Sequence, residues 1–268
     1  IVMPSDGLDP NYIVPPWEPP TGLAAYGFGF GTTFFDFDND GDQDLYWLGS
    51  SKGRGQGPRG DMYPGAGYML RGDGQGSFEE ITVRARLLDI QDVDYASIDP
   101  TDPDVTFKTR ELRINFHENG KGLAHGDFNG DGYVDLVGTN STGPVFLAGG
   151  ETELRAGPLF VWMNGGGDHH WISLRLKGRM AIDGTGSNAD GIGARVFVKT
   201  TLRGETEPLI QVQEVLGGSS YLSMDSIDLE FGVGMAMVVD EITIFWPSGR
   251  KQVLNNVSVD QVIGITEP

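Results

Sequence analysis

Hydrophobic and polar residues alternate along much of this chain in short runs, broken by clusters of glycine, aspartate and proline. Trp171-Ile172-Ser173-Leu174-Arg175-Leu176 and Ala194-Arg195-Val196-Phe197-Val198-Lys199 alternate at period two, and Ile242, Ile244 and Trp246 fall on one face of a third run. Alternation of this kind predicts strands with one buried face. The third run turns at Pro247-Ser248-Gly249 into Lys251-Gln252-Val253-Leu254. Upstream, Thr32-Thr33-Phe34-Phe35, Leu45-Tyr46-Trp47-Leu48, Gly67–Arg71 and Ser77–Thr82 are rich in β-branched and aromatic residues, and Gly72–Gly76 reads as a turn. These predict four strands of one sheet, with residues 50–66 as a glycine-rich loop. A second strand-loop-strand spans Gly122–Thr139, and Gly143–Leu147 and Leu159–Met163 are expected to complete its sheet.

The joints between these strands carry the chemistry. Asp36-Phe37-Asp38-Asn39-Asp40-Gly41-Asp42-Gln43-Asp44 places carboxylates at positions 1, 3, 5 and 9 and glycine at position 6. Alternate side chains of a curling loop point inward, so Asp36, Asp38 and Asp40 can converge. Gly41 permits the sharp turn, Asp42 offers a backbone carbonyl and Asp44 closes the shell. Hard oxygen donors at this spacing suit Ca²⁺. The pattern returns 91 residues later, with Asp127, Asn129, Asp131, Tyr133 and Asp135 at the corresponding positions. Position 12 is Trp47 in one loop and Gly138 in the other, and the flanks are strands, so neither is an EF-hand. Asn129 gives the second loop one fewer charge, which predicts weaker calcium binding there.

Composition narrows the class. Forty-one glycines and fifteen prolines in 268 residues favour many short strands over helices. The formal net charge of −19 argues against nucleic acid and anionic membranes as partners. The absence of cysteine excludes disulfides, thiol catalysis and zinc-thiolate sites. No stretch approaches about eighteen consecutive apolar residues, so no membrane insertion is expected. The chain begins at Ile1 with neither Met nor a signal peptide, which reads as a processed chain or a piece of a longer one.

The loops at 36–44 and 127–135 resemble FG-GAP/VCBS repeats of integrin-α-like β-propellers. Ser187–Val196, Gln213-Glu214-Val215 with Gly217–Ser223, Phe231-Gly232-Val233-Gly234 and Trp246-Pro247-Ser248-Gly249 resemble the ASPIC/UnbV domain. Together they look like the C-terminal portion of cartilage-acidic-protein-like secreted proteins of the bacterial type. The expected fold is all-β: a Pro-rich arm at 1–23, a partial β-propeller with calcium loops at 24–168, and a β-sandwich-like UnbV domain at 169–268. Two or three blades fall short of the usual closed propeller, which needs at least four. The resemblance implies calcium binding and an extracellular or cell-surface setting, and it implies no reaction.

The remaining candidates are weaker. The acidic segment Asp89–Asp104 and the turn Asp183–Asp190 are candidates for further cations, with a solvated loop and a hairpin or bulge as the commoner explanations. His169 and His170, as neighbours on an extended chain, face opposite ways and do not easily share an ion. His117 reads as structural, and His125 is close enough in sequence to Asp127 to pack near the second loop. Arg59-Gly60-Asp61 and Arg71-Gly72-Asp73 read as turns. The expected function is a non-enzymatic extracellular calcium protein that binds protein partners or self-assembles. The alternatives are a glycan- or ligand-binding module using Trp47, Trp162 and Tyr221 on loop tips, and the accessory region of a larger secreted enzyme.

Overall fold

The computed structural model describes residues 29–54, 61–64, 67–85, 87, 120–146, 152–157, 159–202 and 204–268. The arm at 1–23, the segment Asp89–Asp104, His117 and Arg59-Gly60 lie outside the described residues. The chain is all-β, built from several sheets, none of which closes on itself.

The first sheet follows the alternation. β1 (Gly29–Phe35) and β2 (Asp44–Gly49) flank the first acidic loop. β3 (Ser51–Arg54) and β4 (Asp61–Pro64) pair as a separate hairpin where the sequence predicted a loop. Glycines in Ser50–Pro58 hide any alternation, so backbone pairing was not legible there. β5 (Tyr68–Gly72) and β6 (Phe78–Glu80) complete the antiparallel order β1-β2-β5-β6. A one-turn helix, α1 (Thr82–Ala85), stops β6, and the Thr82 hydroxyl accepts the N–H of Met69.

The second unit repeats the first. β7 (Gly120–Gly126) and β8 (Asp135–Asn140) flank the second acidic loop. β9 (Gly143–Phe146) and β10 (Thr152–Arg155) form their own hairpin, so Gly143–Leu147 does not complete the sheet as expected. That place is taken by β11 (Leu159–Trp162), giving the order β11-β8-β7. The register of β1 on β2 shifts between Gly29 and Thr32, and that of β7 on β8 shifts between Gly120 and Leu123, the same step of each repeat. The two units share one core in which Phe35, Tyr46, Leu48 and Met69 meet Leu123, Val134 and Leu136. β1 lies close against β7: a Cβ placed on Gly31 would come within 2.7 Å of the Leu123 Cβ.

The C-terminal part is a two-layer sandwich. β12 (Trp171–Lys177) precedes a short 3-10 turn at Arg179–Ala181, then come β13 (Arg195–Thr200), β14 (Leu209–Glu214), β15 (Leu229–Gly232), β16 (Val238–Phe245), β17 (Lys251–Ser258) and β18 (Gln261–Thr266). One sheet runs β15-β12-β18, with β12 and β18 parallel, and the other runs β14-β13-β16-β17. Ile172, Leu174, Phe231 and Ile265 from one sheet and Val196, Val198, Ile242 and Ile244 from the other make a single buried core. Trp47 and Trp162 are not on loop tips. Trp47 lies within β2, and Trp162, at the end of β11, stacks on Phe160 and meets Tyr46 edge-on at 5.3 Å. Both are spent on packing.

Candidate metal centre

The two acidic loops have one backbone design. In the first, the Asp36 carboxylate accepts the N–H groups of Asp40 (3.1 Å) and Gly41 (2.8 Å), and Asp40 accepts the N–H of Asp42 (3.0 Å). In the second, Asp127 accepts from Asp131 (3.2 Å) and Gly132 (2.8 Å), and Asp131 accepts from Tyr133 (2.9 Å). Both loops need left-handed backbone at positions 4 and 6. Asn39 (φ 57°) and Gly41 (φ 96°) supply it in one, Gly130 (φ 77°) and Gly132 (φ 87°) in the other. Glycine and asparagine enter this region at least cost.

Position 9 does a related job in each loop. Asp44 accepts N–H bonds from Phe37 and from Gly72 on β5; Asp135 accepts from Phe128 and from Asn164 just beyond β11. Each carboxylate therefore pins its loop to the third strand of its sheet.

Ligand convergence differs. One carboxylate oxygen from each of Asp36, Asp38 and Asp40 lies within 4.8 Å of the others. Asp38 Oδ1 is buried and has no hydrogen-bond partner among the described residues. Burial, and then the neighbouring carboxylates, push the pKa of Asp36 well up, and burial is also the main cause that raises Asp44 to about 7. Three converging carboxylates, one of them with a buried, unpartnered oxygen, fit a hard divalent cation. In the second loop the Asn129 side-chain N–H donates to Asp131 (2.8 Å), and Asn129, Gly130 and Asp131 are exposed. Asp42 is half-buried beside Asp40. The Tyr133 hydroxyl donates to the His169 carbonyl at 2.8 Å.

The C-terminal sandwich closes over both loops, which spacing alone did not reveal. The Gly234 N–H donates to the Asn39 carbonyl (2.8 Å), and Gly232 lies so close that an added Cβ would sit 2.2 Å from Asp36 Oδ2. The Asn39 side chain donates to the Gly132 carbonyl (3.0 Å), joining the loops to each other. His169 lies 2.8 Å from the Asp38 carbonyl, whereas His170 pairs with Asp260, so the two histidines engage separate partners. Between the repeats and the sandwich lies a cavity of about 460 Å³, lined by Thr33, His125, Glu214, Asp225 and Glu230 among others. The His125 ring meets the Thr33 hydroxyl at 2.7 Å, and the His125 backbone N–H donates to the Asp225 carboxylate (2.9 Å). Burial lowers the His125 pKa, and burial raises that of Glu230 to about 8. Asp225 and Glu230 were missed from the sequence because no spacing rule ties them to a loop roughly a hundred residues upstream.

A second polar knot sits at the far end of the sandwich. Glu267 is 1% exposed and accepts from the N–H of Arg179 and Ser187 and from the hydroxyls of Ser187 and Ser248. Burial alone would raise its pKa, but these donors outweigh it and hold the carboxyl at about 2. Asp183 is engaged by Thr185 and Arg179.

The segments singled out in the sequence thus divide into two groups. Gly217–Ser223 and Phe231–Gly234 face the repeats, where Ser223 donates to the Leu123 carbonyl (2.7 Å). Ser187 and Ser248 bind Glu267 inside the sandwich. No curated protein matches the chain. Residues 184–268 match the family described as ASPIC and UnbV, and the C-terminal sandwich therefore carries an ASPIC/UnbV domain, with β12 contributed from upstream of the matched span.

Proposed function

We propose that this chain is a non-enzymatic, extracellular calcium-binding protein acting in adhesion, surface assembly or filament building, with calcium as a structural ion. The observation that carries the reading is the convergence of Asp36, Asp38 and Asp40, together with a buried Asp38 oxygen that has no hydrogen-bond partner among the described residues. The shared backbone design of the two loops and the close approach of β1 to β7 support FG-GAP/VCBS-type blades of a propeller. An ion bound at the first loop would neutralise carboxylates that the ASPIC/UnbV domain otherwise covers, and so would tie the two parts together. β11 has no fourth strand beside it among the described residues, and Leu159 and Val161 are exposed there. Such an edge suits pairing with another chain. The test is sedimentation and thermal melting with and without EGTA. Calcium removal should lower the melting temperature by the equivalent of about 2.7 kcal/mol per site at a hundredfold excess over Kd, and should reduce assembly size. No response of either kind refutes the reading.

The cavity between the repeats and the sandwich favours a second reading, a ligand- or glycan-binding module. Binding on a glycan array that Asp225→Asn abolishes, from a protein that remains monomeric with calcium, would put this reading first.

A further inference from the structure

We propose that Arg71 is a built-in competitor for the cation of the first loop, holding the ion-free loop in shape and yielding its place when the ion binds. This rests on the calcium reading above. One guanidinium nitrogen, Nη2, lies 2.9 Å from Asp38 Oδ2 and 2.9 Å from Asp40 Oδ2. These are two of the three carboxylates that converge in the loop. The fit is incomplete on both sides: Asp38 Oδ1 and Arg71 Nε are buried and have no partner among the described residues. A guanidinium that meets one oxygen each of Asp38 and Asp40 with a single nitrogen, leaving Asp38 Oδ1 without a partner among the described residues, is a poorer partner for this cluster than a small divalent ion. It still relieves the repulsion among carboxylates that would otherwise splay the loop.

Arg71 has somewhere to go. It borders a groove of about 420 Å³ whose other walls include Asp42, Asp73 and Glu79, so the released guanidinium stays among carboxylates while it leaves Asp38 and Asp40. The second loop provides an internal control. Gly72 N–H donates to Asp44 and Asn164 N–H donates to Asp135, so the two residues are equivalent in the repeat, and the residue before each is Arg71 in one and Met163 in the other. The loop richer in carboxylates carries the internal cation, and the loop poorer in carboxylates carries a neutral thioether. Ligand count alone ranks the first loop tighter, and Arg71 opposes that ranking.

Calcium titration by calorimetry on the whole chain tests this, with Asp131→Asn marking which site belongs to the second loop. Arg71→Met should tighten the first-loop site roughly tenfold and lower the melting temperature in EGTA. Met163→Arg, at an exposed position, should weaken the second-loop site by a similar factor. Unchanged or weaker first-loop affinity in a folded Arg71→Met protein overturns the competitor role and leaves the calcium reading standing. An unaltered second-loop site in Met163→Arg also counts against the competitor role. Absence of calcium binding in both the unaltered chain and Arg71→Met overturns the role and the calcium reading together.

Discussion

The two acidic loops share one skeleton and live in different surroundings. The first is buried: Asp36 and Asn39 lie under the Phe231–Gly234 segment, and Arg71 reaches in from β5. The second is open at its tip, with Phe128 half-exposed, but its position-6 glycine is wedged against Trp171 at the entry to β12. The same ligand spacing therefore yields one site whose electrostatics are set by neighbours and one whose backbone is. Ligand count cannot rank their affinities by itself, because the charge that matters includes groups far away in sequence.

The largest effect that would separate the loops is at position 6. A Cβ on Gly132 would fall 1.7 Å from the Trp171 indole, at φ 87°. A Cβ on Gly41 would fall 2.6 Å from the tip of the flexible Leu209 side chain, at φ 96°. Both substitutions carry the left-handed backbone penalty, but only the first meets a rigid ring. Gly132→Ala is expected to cost about 3–5 kcal/mol and Gly41→Ala about 2 kcal/mol by denaturant titration in EGTA. Equal costs would mean that the indole gives way.

Glu267 supplies a contrast from the region remote from both loops. Glu267→Gln keeps the shape but removes the charge that four donors address, and is expected to cost about 2 kcal/mol while leaving calcium affinity unchanged. Its folded pKa lies below the ordinary glutamate value, so its contribution is complete above about pH 4.5 and is lost as pH falls toward 2. A change in calcium titration would show that the sandwich is coupled end to end.

The smallest effect concerns pH in the ion-free protein. Glu230 and Asp44 have folded pKa values raised to about 8 and about 7, so the native state holds protons that the unfolded chain has already released. Their contribution to stability is therefore greatest below the ordinary carboxylate range and falls as pH rises toward 8. Melting in EGTA should drop between pH 5.5 and 8, and calcium should flatten or reverse that drop, because the ion binds the ionised carboxylates. A melting temperature in EGTA that rises over this range would refute the assignment.

Local physics wrote much of this protein into its sequence. Period-two alternation located β12, β13 and β16, and the turn at Pro247-Ser248-Gly249 located β17, because these strands have one face in a shared core; β14, β15 and β18 were not read from the pattern. The spacing Asp-x-Asp/Asn-x-Asp-Gly located both loops, because left-handed backbone is least costly at glycine and asparagine. The hairpin of β3 and β4 was illegible because glycine carries no side chain to alternate. Trp47 and Trp162 were misplaced on loop tips because aromatic rings suit a packed strand as well as an exposed binding surface, and sequence alone does not distinguish the two. Tertiary structure alone decided what covers the loops, which carboxylates are buried, where Arg71 reaches, and that Glu267 closes the sandwich. Each of those is a contact between residues tens to hundreds of positions apart. The energy of a buried charge depends on the groups folded against it, and spacing along the chain does not encode them.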